Sequence, residues 1–166
     1  MPLERTIKKA RMAAKQGKSP STQAGAFVEE EIEKIRKGQH GARSAKQAIA
    51  IGLSKARRSG VDLKPPEKGR VSEKTWKSAA GAYKKGQAHE PVSATRSAAR
   101  EKALKQESRT TVSHEALSRQ AKSAAHKRTA SERSAAAKKA ARTKGAAARS
   151  AAAKKGARTR ARQASA

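Results

Sequence analysis

The chain has 166 residues, of which 41 are Lys or Arg and 13 are Asp or Glu, so its formal net charge is +28. Alanine supplies 38 of the apolar residues and leaves only 20 larger ones, three of which are aromatic. Few large apolar residues and a high net charge exclude one well-packed domain of this length. So many cations indicate a polyanionic partner, which in a cell means DNA, RNA or an anionic membrane surface.

Several other classes of protein are excluded by what the sequence lacks. No apolar run approaches the length of a transmembrane helix, and the first residues have no apolar stretch of the kind found in secretory signals. The absence of cysteine excludes disulfides, thiolate zinc sites and cysteine nucleophiles. We therefore expect a cytoplasmic protein.

Large apolar residues and cations are distributed in opposite directions along the chain. Of the 20 large apolar residues, 13 lie in 1–63, six in 64–112 and one beyond. Residues 111–166 carry 15 basic and two acidic side chains. We predict an all-α chain with a small module of about three short helices over 1–64, a linker with weak helices over 65–112, and a largely disordered or loosely helical basic tail over 113–166.

The first two helices of the module are predicted from apolar spacing and from their ends. Leu3 and Ile7 begin a stripe at helical intervals that predicts a helix over 3–16, with Gly17 as its stop. Ser19 as the cap and a proline at the first helical position predict a second helix over 20–37. An acidic run at 29–33 lies in this helix, and such runs are usually solvated faces. Two other roles suit this run: its negative charge offsets the positive charge of the tail within the molecule, or it is a docking face for another basic protein.

The third helix carries the clearest local signals. Ser44 and Gln47 form a capping box, and an apolar face follows at helical spacing over 45–56. Ala48 and Gly52 on this face are small enough to let another helix approach closely. Because three short helices make only a marginal core, self-association through the module is left open.

Beyond residue 64, the helix signals are mainly caps. A Pro-Pro pair predicts a linker near residue 65, and Ser72, Ser93 and Ser113 each precede a segment with helical propensity. Trp76 and Tyr83 lie seven residues apart on the first of these segments. Their rings pack locally or stack on unpaired bases, and stacking would favour RNA.

The tail contains an internal repeat. The segment RSAAAKKAART at 133–143 returns as RSAAAKKGART at 149–159, and no acidic residue follows Glu132. In one continuous helix, a period of 16 would turn the second copy by about 160°, which favours a diffuse cationic brush over a helix lying in one groove. We predict phosphate binding by the basic residues from 133 onward, namely Arg133, Lys138, Lys139, Arg142, Lys144, Arg149, Lys154, Lys155, Arg158, Arg160 and Arg162.

Two resemblances follow from these residues. The blocks RSAAAKK and AARTK resemble the Ala/Lys-rich tails of bacterial histone H1-like proteins, which implies DNA compaction without sequence specificity and a place in the nucleoid. The segment GQHGARSAKQAIAIGLSKARRSG at 38–60 is similar to a family of small basic proteobacterial proteins of unknown function. This second resemblance implies a bacterial origin and a small helical module.

A second candidate surface is the basic end of the third helix. Lys55, Arg57 and Arg58 crowd its last turn, where they either contact a nucleic-acid backbone or simply complement the helix dipole.

Enzyme chemistry finds no support in the sequence. The four histidines are scattered, and no nucleophile elbow, Walker loop or dinucleotide-binding glycine pattern is present. We predict no catalytic residues, metal, cofactor, small-molecule substrate or membrane binding. The main prediction is non-specific DNA binding. The alternatives are an RNA- or ribosome-associated protein and a protein-interaction adaptor that its tail merely localises.

Overall fold

Helices account for all the regular secondary structure in the part of the chain that is described. The computed structural model describes residues 2–164, apart from the side chain of Lys144. Its helices are α1 (Glu4–Lys15), α2 (Pro20–Arg36), α3 (Ala45–Arg58), α4 (Glu73–Gln87), α5 (Ala94–Lys105), α6 (His114–His126) and α7 (Ala130–Ala164). The predicted all-α class is confirmed. None of these helices is long and apolar enough to cross a membrane.

The chain is more helical than predicted. Full helices α4 and α5 take the place of the weak helices expected over 65–112, and the tail is helical where a largely disordered or loosely helical tail was expected. The prediction of disorder gave most weight to the missing apolar stripe and to repulsion among cations. Alanine needs no packing partner to favour a helix, so local propensity outweighs both. Thr129 and Glu132 also cap the start of α7, because each accepts a hydrogen bond from the backbone N–H of the other.

Helix α7 is divided at one residue. Gly145 has φ 68° and ψ 168°, which is not a helical conformation. A positive φ costs glycine little because it has no Cβ. The first repeat therefore lies before the break and the second after it.

The helix caps follow the sequence with one exception. Ser44, Ser72 and Ser93 each accept a hydrogen bond from a backbone N–H of the first turn, as predicted. Ser113 does the same for α6, through the N–H of Ala116. Ser19 does not cap α2, because its hydroxyl bonds to neighbouring Ser and Thr hydroxyls instead.

The chain forms two compact units, one ending at Gln120 and the other beginning at Ala121. In the first, α2 packs between α1 and α3, and α4 packs on α3. One core cluster contains Ala10, Ala24, Phe27, Ala56 and Val61, and the other contains Ile35, Ala42, Ala48 and Val112. Small residues predominate, so the helices lie close together. A Cβ on Gly52 would lie 2.6 Å from the Cα of Val28, which agrees with the approach expected at this glycine.

A segment after α5 also packs onto the first helices. The N–H of Gly41 donates to the carbonyl of Leu104 at 2.8 Å, and the N–H of Ala42 donates to that of Ser108 at 2.9 Å. Val112 is 1% exposed and lies in the second core cluster. Residues 104–112 therefore form a strap over the loop between α2 and α3.

Candidate nucleic-acid interface

The cations of the tail are exposed. Of the eleven predicted phosphate-binding residues from 133 onward, ten have described side chains, and all ten are exposed. The eleventh, Lys144, has a side chain outside the described residues. No carboxylate among the described residues pairs with any of the ten. Two of them make side-chain hydrogen bonds to backbone carbonyls, Arg133 to that of Arg128 and Arg149 to that of Gly145. These charges are therefore available to a partner in solution.

Each repeat places three of its four cations on one side of its own helix. At about 100° per residue, Lys138, Lys139 and Arg142 fall within an arc of about 100°. Lys154, Lys155 and Arg158 do the same in the second copy, because the spacing is identical. The other side carries alanines together with the arginine that opens each copy, Arg133 or Arg149. Each repeat is thus a short helix with three cations clustered on a basic face and a fourth cation opposite.

The two copies also share a local hydrogen bond. Thr143 donates from its hydroxyl to the carbonyl of Lys139 at 2.9 Å, and Thr159 donates to the carbonyl of Lys155 at 3.1 Å. The predicted diffuse cationic tail assumed that both copies lie on one continuous helix, which turns the second copy away from the first. The helix is broken at Gly145, so each copy lies on a helical segment of its own and that assumption does not hold.

The basic end of α3 is arranged differently from the tail. Lys55 pairs with Glu31, whose side chain is fully buried. Arg57 is 8% exposed and donates to the carbonyl of Leu63 at 2.9 Å. Burial lowers the pKa of Arg57. Arg58 donates to the carbonyl of Pro91 at 3.2 Å. The structure therefore places all three cations in contacts within the first unit.

The acidic run of α2 lies partly inside the protein, which differs from the solvated face expected. Glu30 is 4% exposed and Glu31 is 0% exposed. Burial acts to raise the pKa of Glu30, but hydrogen bonds from Lys34, Thr6 and the backbone of Leu3, with the charge of Lys34, outweigh it and lower that pKa. The sequence signal that was missed is the position of these glutamates between two helices rich in Lys and Arg.

Glu31 lies between two basic side chains. One carboxylate oxygen pairs with Lys55, and the other lies 3.3 Å from Nε2 of His40. Nδ1 of His40 lies 3.0 Å from the carbonyl of Gly41, which can only accept, so this nitrogen carries a hydrogen. These groups join α2, α3 and the loop between them.

Trp76 and Tyr83 both have partners within the protein. The ammonium of Lys68 lies 4.7 Å from the centre of the Trp76 ring. The hydroxyl of Tyr83 donates to Asp62 at 2.6 Å. That hydrogen bond raises the pKa of Tyr83, to which burial and the charge of Asp62 add.

Helix α1 carries exposed cations that were not among the predicted phosphate-binding residues. Arg5 pairs with Glu33 at 3.2 Å, and Lys9 pairs with Glu29. Lys8, Arg11 and Lys15 are exposed, and no carboxylate among the described residues pairs with them. Their spacing of three and four residues was visible in the sequence, but only the structure separates them from the paired cations of the same helix.

Comparisons with known proteins add no assignment. No protein-family model, curated protein sequence or solved structure matches the chain. Within the described residues, no group of three or more His, Asp or Glu side chains is arranged to hold a metal ion.

Proposed function

We propose that this protein binds duplex DNA without sequence selection and compacts it, in the manner of histone H1-like proteins, through the two repeat helices of its tail. The observation that carries the proposal is the set of ten exposed tail cations with which no carboxylate of the described chain pairs. The protein is non-enzymatic, needs no cofactor and acts on the nucleoid in the cytoplasm.

Counterion release supplies the driving force. Each cation placed on a phosphate frees condensed counterions, and this gain needs no contact with a base. Residues 133–162 hold 11 cations, or about one for every 4 Å of helix at a rise of about 1.5 Å per residue. Duplex DNA carries about one negative charge per 1.7 Å. A tail helix lying along the duplex therefore neutralises fewer than half of the phosphates beside it.

The basic faces suit phosphates better than bases. They consist of Lys and Arg on a background of Ala, and the tail has no Asn or Asp and no acid after Glu132. Lys and Arg also bond guanine, but readout of adenine and cytosine uses Asn, Gln, Asp or Glu, which the basic faces lack. Trp76 and Tyr83, whose stacking on unpaired bases was the feature that favoured RNA, already contact Lys68 and Asp62 within the protein, and the proposal does not depend on them.

Gel retardation with duplexes of unrelated sequence tests this function. We expect every duplex to be retarded with similar affinity and to be condensed at higher protein-to-DNA ratios. The six-site tail variant, with Lys138, Lys139, Arg142, Lys154, Lys155 and Arg158 changed to Gln, should lose most of this binding at physiological salt. Selection of one motif from a random pool of duplexes would contradict the proposal.

The same assay separates the alternative functions. Single-stranded RNA and unlabelled duplex DNA are compared as competitors for the bound protein. If RNA displaces the protein from DNA at a much lower concentration than duplex does, the RNA-associated function is favoured. Protein partners that stay bound in a cell extract after complete nuclease digestion would favour the adaptor function.

A further inference from the structure

The cations of α1 form two sets with different environments. Arg5 and Lys9 face α2, where the carboxylates of Glu33 and Glu29 neutralise them. Lys8, Arg11 and Lys15 are exposed and unpaired among the described residues. The acidic run of α2 is thus engaged by the first set and by Lys34 and Lys55, and it does not neutralise the second set.

The second set lies along one line of the helix, and we call it the α1 stripe. At about 100° per residue, Lys8, Arg11 and Lys15 fall within an arc of about 60°, spread over roughly 10 Å of helix axis. Thr6 and Ala10, the buried residues of α1, lie on another side. Glu4 precedes the stripe by one turn and is the one acidic residue of α1. The stripe is therefore a compact cationic surface on the first unit.

The stripe resembles the tail faces in the two properties that phosphate binding requires. Its side chains are long cations on one side of a helix, and none is held by a carboxylate of the described chain. The basic end of α3 differs, since Lys55 is held by a carboxylate and Arg57 is buried. The first unit therefore presents its available line of charge on α1 and not on α3.

We infer that the α1 stripe is a second phosphate-binding surface, and that one chain uses it with the tail to hold two DNA duplexes at once. This inference rests on the proposed function, and it states how binding becomes compaction. The stripe lies in one compact unit and the tail repeats lie in the other. Three phosphate contacts give a salt dependence of only about −2.7 in log K against log salt, so the stripe acts as the weaker of the two surfaces.

A two-duplex capture experiment tests the inference. A mixed-sequence duplex is immobilised, full-length protein is bound and washed, and a second, fluorescent duplex is added. The stripe variant carries Lys8→Gln, Arg11→Gln and Lys15→Gln. A matched control carries Lys74→Gln, Lys84→Gln and Arg96→Gln, which removes the same charge from exposed residues that do not cluster. Lys74 and Lys84 lie about 15 Å apart along α4, and Arg96 lies on α5. Circular dichroism checks that all the proteins are equally helical.

We expect the wild type and the control to retain the fluorescent duplex. The stripe variant should bind the immobilised duplex normally but retain fluorescence only at the level of beads without protein. Retention equal to that of the control would overturn the inference and leave the proposed function intact, because the tail alone would then hold both duplexes. Failure of the wild type to bind the immobilised duplex would instead overturn the proposed function, and the inference with it.

Discussion

Lysine has two opposite roles in this protein, and the nearest carboxylate decides between them. Lys55 holds the buried carboxylate of Glu31, whereas Lys138 and Lys154 are exposed and no carboxylate among the described residues pairs with them. The sequence shows that α3 ends in basic residues. It does not show that Lys55 pairs with Glu31, 24 positions away, because tertiary packing brings the two together. This is why the basic end of α3 and the basic tail look alike in the sequence and differ in the structure.

Removal of the Lys55 charge should affect stability more than DNA binding. Lys55→Gln leaves Glu31 buried without its main counter-charge, and we expect a loss of roughly 3 kcal/mol, the lower end for a broken buried ion pair because Lys55 is partly exposed. Chemical denaturation measures this loss. The double variant Lys55→Met with Glu31→Gln should recover part of it. A stable Lys55→Gln protein with greatly weakened DNA binding would contradict this assignment.

The lowered pKa of Glu30 makes a specific contribution to pH-dependent stability. Because the folded-state pKa lies below the ordinary value of 4.5, ionised Glu30 stabilises the folded protein above that pH, and the contribution is lost as the pH falls through the folded-state pKa. Glu30→Gln should therefore lose stability at neutral pH and show a shallower decline below about pH 4.5. Thermal melts of both proteins between neutral pH and pH 3 measure this difference, and parallel declines would refute it.

At the scale of helices, the sequence predicts what is local. The starts of α3, α4 and α5 follow from serine caps, and the ends of α1, α2 and α3 follow from glycines that adopt positive φ. The strap over 104–112 was not predictable, because it docks through backbone hydrogen bonds and two isolated apolar side chains, Leu104 and Val112, which form no periodic pattern. The tail was misjudged because alanine propensity, a weak effect per residue, accumulates over many residues.

Two glycines of the first unit should respond oppositely to the same substitution. A Cβ on Gly52 would lie 2.6 Å from the Cα of Val28, so Gly52→Ala must separate α2 from α3 and should cost about 1–3 kcal/mol. Gly25 lies in α2 with nothing within 4 Å of its would-be Cβ. Gly25→Ala should therefore stabilise the helix, by up to about 1 kcal/mol. Equal effects in chemical denaturation would mean that the close contact of α2 and α3 is absent in solution.

At the scale of the whole molecule, the first unit combines paired and unpaired cations, whereas the described tail cations are unpaired. Ten ion pairs join Lys or Arg to Glu within the described part of the first unit. The α1 stripe stays outside them, and no carboxylate among the described residues pairs with the ten described cations from 133 onward. The excess of positive charge was evident from composition, and its concentration in the tail from the order of residues. Which cations of the first unit stay available was not evident, because that depends on how α1 packs against α2.

The salt dependence of DNA affinity tests the central claim, that the tail binds duplex DNA by neutralising phosphates. With DNA in excess, log K for the full-length protein should fall linearly with log salt, with a slope on the order of −6 to −10. The six-site tail variant should have a slope shallower by about 5, since each lost phosphate contact removes about 0.9. The control variant Lys74→Gln, Lys84→Gln and Arg96→Gln should keep the full-length slope. A tail variant with the full-length slope would contradict the claim and show that phosphate binding lies elsewhere in the chain.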